Sequence, residues 1–393
     1  MQQTGYHTRC RVSTVILMWG VLILWAHPAL SEPYMAVRGG YKCSQCHTNI
    51  TGGGKRNSFG SIYIQTMLPH HITAASTLQH ILSPIRAPAG EPEEGTFIAN
   101  TLADFLSFGG DLRVENRTRF SEGPLETTNS LDVTEANLYL EARLLRDFLS
   151  LYVDEQLGPN AASSREIFGL IRVPRWWHFY FKGGKFLLPY GWRLQDDSAF
   201  IRSQTGVNYA NPDTGVEFGL EPGPLSFSLA ITNGAGGGSD DNRFKQLTLR
   251  TEAVFRHWRI GGSYAYNDTD MARRVMYGPF AGLTFGRLTL LGELDVIEDR
   301  VAASGETIKQ LAVFSSLNVL LTRGVNFKLS YEWLDPNQDD LFKNDERTRF
   351  TVGLEPFLTQ FLQLRLFYRL HDGIPQRPVE RADELVLELH LFF

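Results

Sequence analysis

Leu385-Val386-Leu387-Glu388-Leu389-His390-Leu391-Phe392-Phe393 closes the chain. Leucine takes every second position, and Val386, Glu388, His390 and Phe392 take the positions between. A period of two belongs to a strand with two unlike faces. The same period returns upstream. Leu362, Leu364, Leu366, Tyr368 and Leu370 alternate with Gln363, Arg365, Phe367, Arg369 and His371. Leu288, Leu290, Leu294 and Val296 alternate with Arg287, Thr289, Glu293 and Asp295. Phe327, Leu329, Tyr331 and Trp333 alternate with Lys328, Ser330 and Glu332. A soluble sandwich would show this alternation too, so the period alone leaves both classes open.

The connections decide between them. Short turns fall near 145–147, 174–176, 221–223, 256–258, 286, 322–324 and 355–359. Longer polar loops fall between them, at 121–130, 158–163, 189–212, 233–243, 267–272, 299–305, 335–345 and 372–381. Short periplasmic turns and longer external loops mark an outer-membrane barrel, and the spacing leaves room for about 16 strands. The last strand, closing on Phe393, resembles the sorting signal of outer-membrane barrel proteins. The expected fold is all-β: a transmembrane antiparallel β-barrel over 108–393, carrying a short N-terminal haem-binding segment.

With the leucine face toward lipid, the opposite face lines a lumen. It carries Asp111, Arg113, Glu115, Arg117, Arg119, Glu141, Arg143, Arg250, Glu252, Glu293, Asp295, Glu332, Arg347, Arg349, Arg365 and Arg369. These charges are costly against lipid and tolerable in a polar interior. Both signs occur, which argues against a simple ion filter and for a lumen partly filled by protein. Trp176, Trp177, Tyr180, Trp192, Trp258, Tyr331 and Trp333 are candidates for aromatic girdles, and each taken alone reads equally well as a packing residue.

The 393-residue chain has 36 glycines and 12% aromatic residues, a composition suited to strands and tight turns. A net charge of −5 offers no basis for a nucleic-acid partner. The first 31 residues read as a signal peptide. Arg9 and Arg11 precede the apolar run Val12 to Trp25, and Ala29-Leu30-Ser31 is a small-x-small cleavage site. An uncleaved anchor is the alternative; the short run and Pro28 argue against it. Cys10 leaves with the signal, so the exported chain keeps only Cys43 and Cys46 and has no disulfide framework.

Those two cysteines stand in Cys43-Ser44-Gln45-Cys46-His47, the C-x-x-C-H attachment pattern of a c-type haem. Two thiols three positions apart share one side of a helical turn, where both can form thioethers to one porphyrin. The adjoining His47 then offers an imidazole to the iron. A zinc knuckle would need about four ligands, and no second cysteine pair exists. The expected cofactor is one covalent haem c over segment 32–80, with 81–107 as a Pro- and Glu-rich linker. For the second axial position, Met67, His70 and His71 lie downstream with His80, and Met35 lies upstream; the His70–His71 pair, after an apolar segment, is favoured. Gly53-Gly54-Lys55 lacks phosphate-loop spacing; the glycines are read as letting backbone approach the macrocycle. The loop acids Asp240, Asp241, Asp339, Asp340 and Asp345 are read as solvated charges rather than an iron site.

Residues 35 to 60 combine Ala36, Arg38 and Gly40 with Cys43-x-x-Cys46-His47 and Asn57-x-Phe59-Gly60. This resembles the fused monohaem cytochrome–porins of bacterial outer membranes, the best known of which serve iron-oxidising bacteria. Gly184-Lys185-Phe186-Leu187-Leu188-Pro189-Tyr190-Gly191 is similar to the porin family that includes phosphate-selective porins. The Gly52 to Gly54 run with Lys55-Arg56 departs from the more apolar, proline-containing stretch of the iron oxidases. The resemblance implies an outer-membrane electron conduit with a haem held by Cys43 and Cys46 and ligated by His47. Its N-terminal segment would be periplasmic or within the lumen. Partners would be outer-membrane lipid, a periplasmic cytochrome or other electron carrier, and an external redox partner, with Fe(II) one candidate. With Fe(II) as donor the protein would act as a cytochrome-type oxidoreductase. The alternatives are a diffusion porin for small anions plugged or regulated by the haem segment, and a cytochrome merely tethered by a barrel.

Overall fold

The computed structural model describes residues 32–71 and 101–393, except 104, 121–126, 146, 160–161, 239, 241–242, 341–344 and 375–380. The expected signal peptide, Cys10, His80, Asp241 and most of the linker lie outside the described residues.

The strands are β1 (Thr101–Ala103), β2 (Leu106–Phe120), β3 (Thr128–Leu145), β4 (Leu149–Gly158), β5 (Ser163–Val173) and β6 (Phe179–Phe186). Next come β7 (Asp213–Leu220), β8 (Leu225–Thr232), β9 (Gln246–Val254), β10 (Trp258–Asp268), β11 (Ala272–Phe285) and β12 (Leu288–Val301). The last are β13 (Thr307–Thr322), β14 (Val325–Asp335), β15 (Arg347–Pro356), β16 (Leu362–Asp372) and β17 (Asp383–Phe392). The short β1 folds back on β2. Each strand from β2 to β17 pairs antiparallel with the next, and β17 pairs with β2, with Leu389 opposite Val114. Sixteen strands among the described residues thus close a barrel without an edge. The wall begins at Leu106, two residues before the expected start.

The alternation sets the two faces. On β17, Leu385, Leu387, Leu389 and Leu391 are exposed outward, while Glu384, Val386, Glu388, His390 and Phe392 are buried inward. Most of the expected lumen charges follow the same rule, including Asp111, Arg113, Glu141, Arg250, Glu293, Glu332, Arg349 and Arg365. An apolar outer face on strands that are mostly eight or more residues long is what a bilayer requires. The molecule is a closed β-barrel with the outer face of a membrane-spanning one. Trp176, Trp177, Trp258 and Tyr331 stand on its outer surface. Tyr180 and Trp192 do not. Both are buried inside, Tyr180 because the parity of β6 turns it toward Glu217 and Ser228, which its hydroxyl bonds at 2.7 and 2.8 Å.

Two pieces of chain fill the lumen. One is residues 32–71, with helices α1 (Pro33–Gly39), α2 (Cys43–Cys46) and α3 (Ser58–Met67). The other is the connection 187–212, with α4 (Phe200–Ser203). The expectation that 189–212 is an external loop is corrected. Leu188, Tyr190, Trp192, Ala199, Ile201 and Val207 make it too apolar for water, and all are buried. Wall charges satisfy its backbone: Trp192 N donates to Glu293 Oε2 at 2.6 Å, and Phe200 N donates to Glu332 Oε2 at 2.8 Å.

Candidate haem site in the barrel lumen

Helix α2 is one turn long, and its start is capped by Gln45 Oε1, which accepts from Lys42 N at 2.8 Å. That turn brings Cys43 and Cys46 to one side, both partly buried and unbridged. His47 leaves the helix in an extended conformation and bridges to Arg56. Asn57 joins the motif to α3. Its Nδ2 donates to Ser44 O and Gln45 O, each at 3.1 Å, and its Oδ1 accepts from Gly60 N at 3.0 Å. One side chain therefore caps the end of α2 and the start of α3. Gly60 permits this closeness: a Cβ there would lie 2.1 Å from Cys46 O. The Asn57-x-Phe59-Gly60 pattern thus has a local mechanical reason.

Cys43, Cys46 and His47 line one cavity together with Gly52, Gly53, Gly54, Met35, Tyr63, Trp192 and Tyr209. Arg56, Arg113, Arg165, Arg193, Arg250 and Arg259 also reach it. His47 is half-buried; its Nδ1 is shielded from solvent and has no side-chain hydrogen-bond partner among the described residues. Burial first, then the charges of Arg56 and Arg193, push the imidazole down to about 4. It is therefore neutral at ordinary pH, the form that ligates metal. Burial, and then Cys43, push the Cys46 thiol up to about 11. The donor set fits a covalent haem: two thiols on one turn and a neutral imidazole with an orphaned nitrogen. Arg113, Arg165, Arg250 and Arg259 already pair with Asp111, Glu135, Asp154 and Glu252, which leaves Arg56 and Arg193, without an ion pair among the described residues, to meet carboxylates.

The segment is bolted to the wall around this cavity. Asn49 Nδ2 donates to Glu166 Oε1 at 2.8 Å, and Lys182 Nζ donates to Asn49 Oδ1 at 3.2 Å. Lys55 Nζ pairs with Glu141 at 3.4 Å, and Glu32 pairs with Arg365 at 2.6 Å and Lys328 at 3.2 Å. Arg193 Nη1 donates to Gly52 O at 2.8 Å. Gly54, at φ +59, would place a Cβ 2.2 Å from Tyr152 Oη, so the glycine run fits closely against the wall as well as the cavity. Glu32, Asn49, Lys55, Glu166, Lys182 and Glu217 were not anticipated as lumen partners. The wall members among them sit on inward positions of their strands, a parity visible in the sequence, but their partners are not.

The motif lies toward the short-turn end. Ser44 Oγ donates to Glu221 Oε2 at 2.8 Å in the turn between β7 and β8, and Gln45 is exposed. An adjoining vestibule, lined by Gln156, Asp196, Asp197, Arg369 and Glu388 and sharing Glu32, Arg113, Glu135 and Arg165 with the first cavity, lies on the long-loop side. The distal candidates are placed unevenly. Met67, His70 and His71 are exposed at the rim, where His70 N donates to Phe357 O at 2.8 Å and its Nδ1 lies 3.2 Å from Arg323 O. None of the three lines the cavity; Met35 does. Buried Leu68, fitted against Gly324, holds the following residues at that turn. Among the described residues no cluster of three or more His, Cys, Asp or Glu forms a metal site, and Asp240 pairs with Lys245 at 2.5 Å.

Solved outer-membrane proteins share this architecture. OmpT of Vibrio cholerae superposes with a TM-score of 0.57 at 14% identity, covering 73% of this chain and 99% of that one. The fold is that of a porin. An anion-selective porin from Comamonas acidovorans gives 0.57 at 10% identity, covering 73% and 99%. OmpF of Salmonella typhi, in complex with daunomycin, gives 0.56 at 12% identity, covering 73% and 97%. At these identities the likeness is one of fold. No family model matches the chain, and no curated protein matches it.

Proposed function

We propose that this porin-fold barrel is an outer-membrane electron conduit, with one haem c held covalently by Cys43 and Cys46 and ligated by His47. The observation that carries the reading is the placement of all three side chains on one charged cavity inside the lumen, between openings on the short-turn and long-loop sides. A haem bound there would supply one-electron transfer. The chain's own part is to hold and insulate. α2 presents the thiols, burial keeps His47 neutral, and Arg56 and Arg193 can pair with propionates. The Ser44–Gln45 edge gives a periplasmic cytochrome or other carrier an approach to the motif. The external partner, a donor or an acceptor, with Fe(II) one candidate, would approach through the vestibule.

Purified outer membranes carrying the chain should show a c-type reduced-minus-oxidised spectrum and a haem-stained band that survives denaturing gels. Both should vanish in Cys43→Ala/Cys46→Ala. In proteoliposomes the wild type should pass electrons from external Fe(II) or dithionite to an enclosed oxidant, and the double variant should not. A chain without covalent haem in a strain competent for cytochrome c maturation would defeat the proposal.

A second reading has its own support. The fold is shared with an anion-selective porin, and the lumen carries many arginines. A diffusion porin for small anions, with segment 32–71 as plug or regulator, would swell liposomes in small-anion salts whether or not haem is attached. The many bonds between plug and wall weigh against open diffusion.

A further inference from the structure

Helix α1 divides into two faces. Tyr34, Val37 and Arg38, spaced three and four apart, turn to the wall. Tyr34 Oη donates to Glu355 Oε2 at 3.3 Å, Val37 fits against Gly282, and Arg38 Nε donates to Thr289 Oγ1 at 3.0 Å. Glu32, Met35 and Ala36, at the complementary spacing, line the cavity of Cys43, Cys46 and His47. Glu32 is engaged by Lys328 and Arg365, and Ala36 has no donor. Met35 remains. It is 2% exposed and its thioether is neutral at every pH. Apart from His47, no lining residue of this cavity is a histidine or another methionine.

We propose that Met35 is the second axial ligand of the haem held by Cys43, Cys46 and His47. The assignment rests on the haem reading above and deepens it. It replaces Met67, His70 and His71, which the fold carries to the exposed rim. The wall bonds of Tyr34 and Arg38 fix the rotation of α1, so Met35 is presented to the cavity by a rigid element rather than a loop. A thioether ligand raises the reduction potential relative to a second imidazole. The site is therefore built for donors and acceptors of relatively high potential.

The test uses the full-length ferric protein in detergent. The wild type should show the weak far-red charge-transfer band of methionine-ligated haem. Met35→Ala should lose the band while keeping covalent haem on a denaturing gel. Met35→His should keep a low-spin spectrum and shift the midpoint potential downward. Met67→Ala and His70→Ala/His71→Ala should leave band and potential unchanged. A band that survives Met35→Ala overturns the assignment, and so does a haem-loaded wild type without the band. Absence of covalent haem in the wild type, read on the stained gel, overturns the haem reading itself and the ligand with it.

Discussion

The barrel wall and the segment it encloses are held by opposite means. On β17 the outward leucines need only be apolar, because lipid is an undemanding neighbour, and every second residue will serve. In the plug, Asn57 must cap two helices at once, Asn49 must meet both Glu166 and Lys182, and Gly60 must leave room for the carbonyl of Cys46. The wall tolerates exchange within a chemical class. The plug depends on particular atoms. The barrel's stability and the plug's seating should therefore come apart under mutation.

The widest separation should come from deleting residues 33–71. The wall strands pair with one another without the plug, so the barrel should still assemble, seen as heat-modifiable migration. Conductance in planar bilayers should rise from near closure to that of an open pore. Unchanged conductance would mean that loop 187–212 alone closes the lumen. Next is the wall itself. Leu387→Arg puts a charge on the lipid face near the middle of β17 and should cost about 2–4 kcal/mol in reversible unfolding from vesicles. Glu388→Gln, one residue along but inward, should cost well under that. Equal costs would mean that the two faces are not distinct in energy.

Within the plug, Asn57→Ala removes a side chain that caps two helices and should loosen the segment by roughly 0.5–2 kcal/mol. It should appear as faster proteolysis of 32–71 and lower haem occupancy, with the barrel's own unfolding unchanged. The smallest effect concerns loop 187–212. Burial pushes the Asp197 carboxyl up from 3.8 to about 6, although Tyr209 N donates to it. Between those values the folded loop holds a proton that an unfolded one has released. Loop packing is thus strongest below the window and weakens as pH rises through about 6. Intrinsic-rate-corrected amide exchange in the loop should quicken across that range, and Asp197→Asn should abolish the trend.

What was legible differs between the regions for the same reason. Strand parity needs no knowledge of distant residues, so Leu385 to Phe393 alone reveals which way Glu388 and His390 point. Trp192 misled because its connection was read by polarity and length, whereas its apolar residues find their burial only once a lumen exists. Tyr180 misled because an aromatic residue near a turn is as suitable for a lumen hydrogen bond as for a girdle. Met67 and His71 were attractive as neighbours in sequence, but Leu68 and Gly324 tie that stretch to the rim.

By itself the sequence determined the strand faces, the alternation of turns and loops, and the pairing of two thiols with an imidazole, since each depends on residues a few positions apart. Only the tertiary structure decided that the C-x-x-C-H segment lies inside the lumen, that the long connection turns in to meet it, and that Met35 shares its cavity. Those placements depend on contacts such as Glu32 with Arg365 and Lys55 with Glu141, between residues far apart in the chain, and they exist only when the barrel has closed.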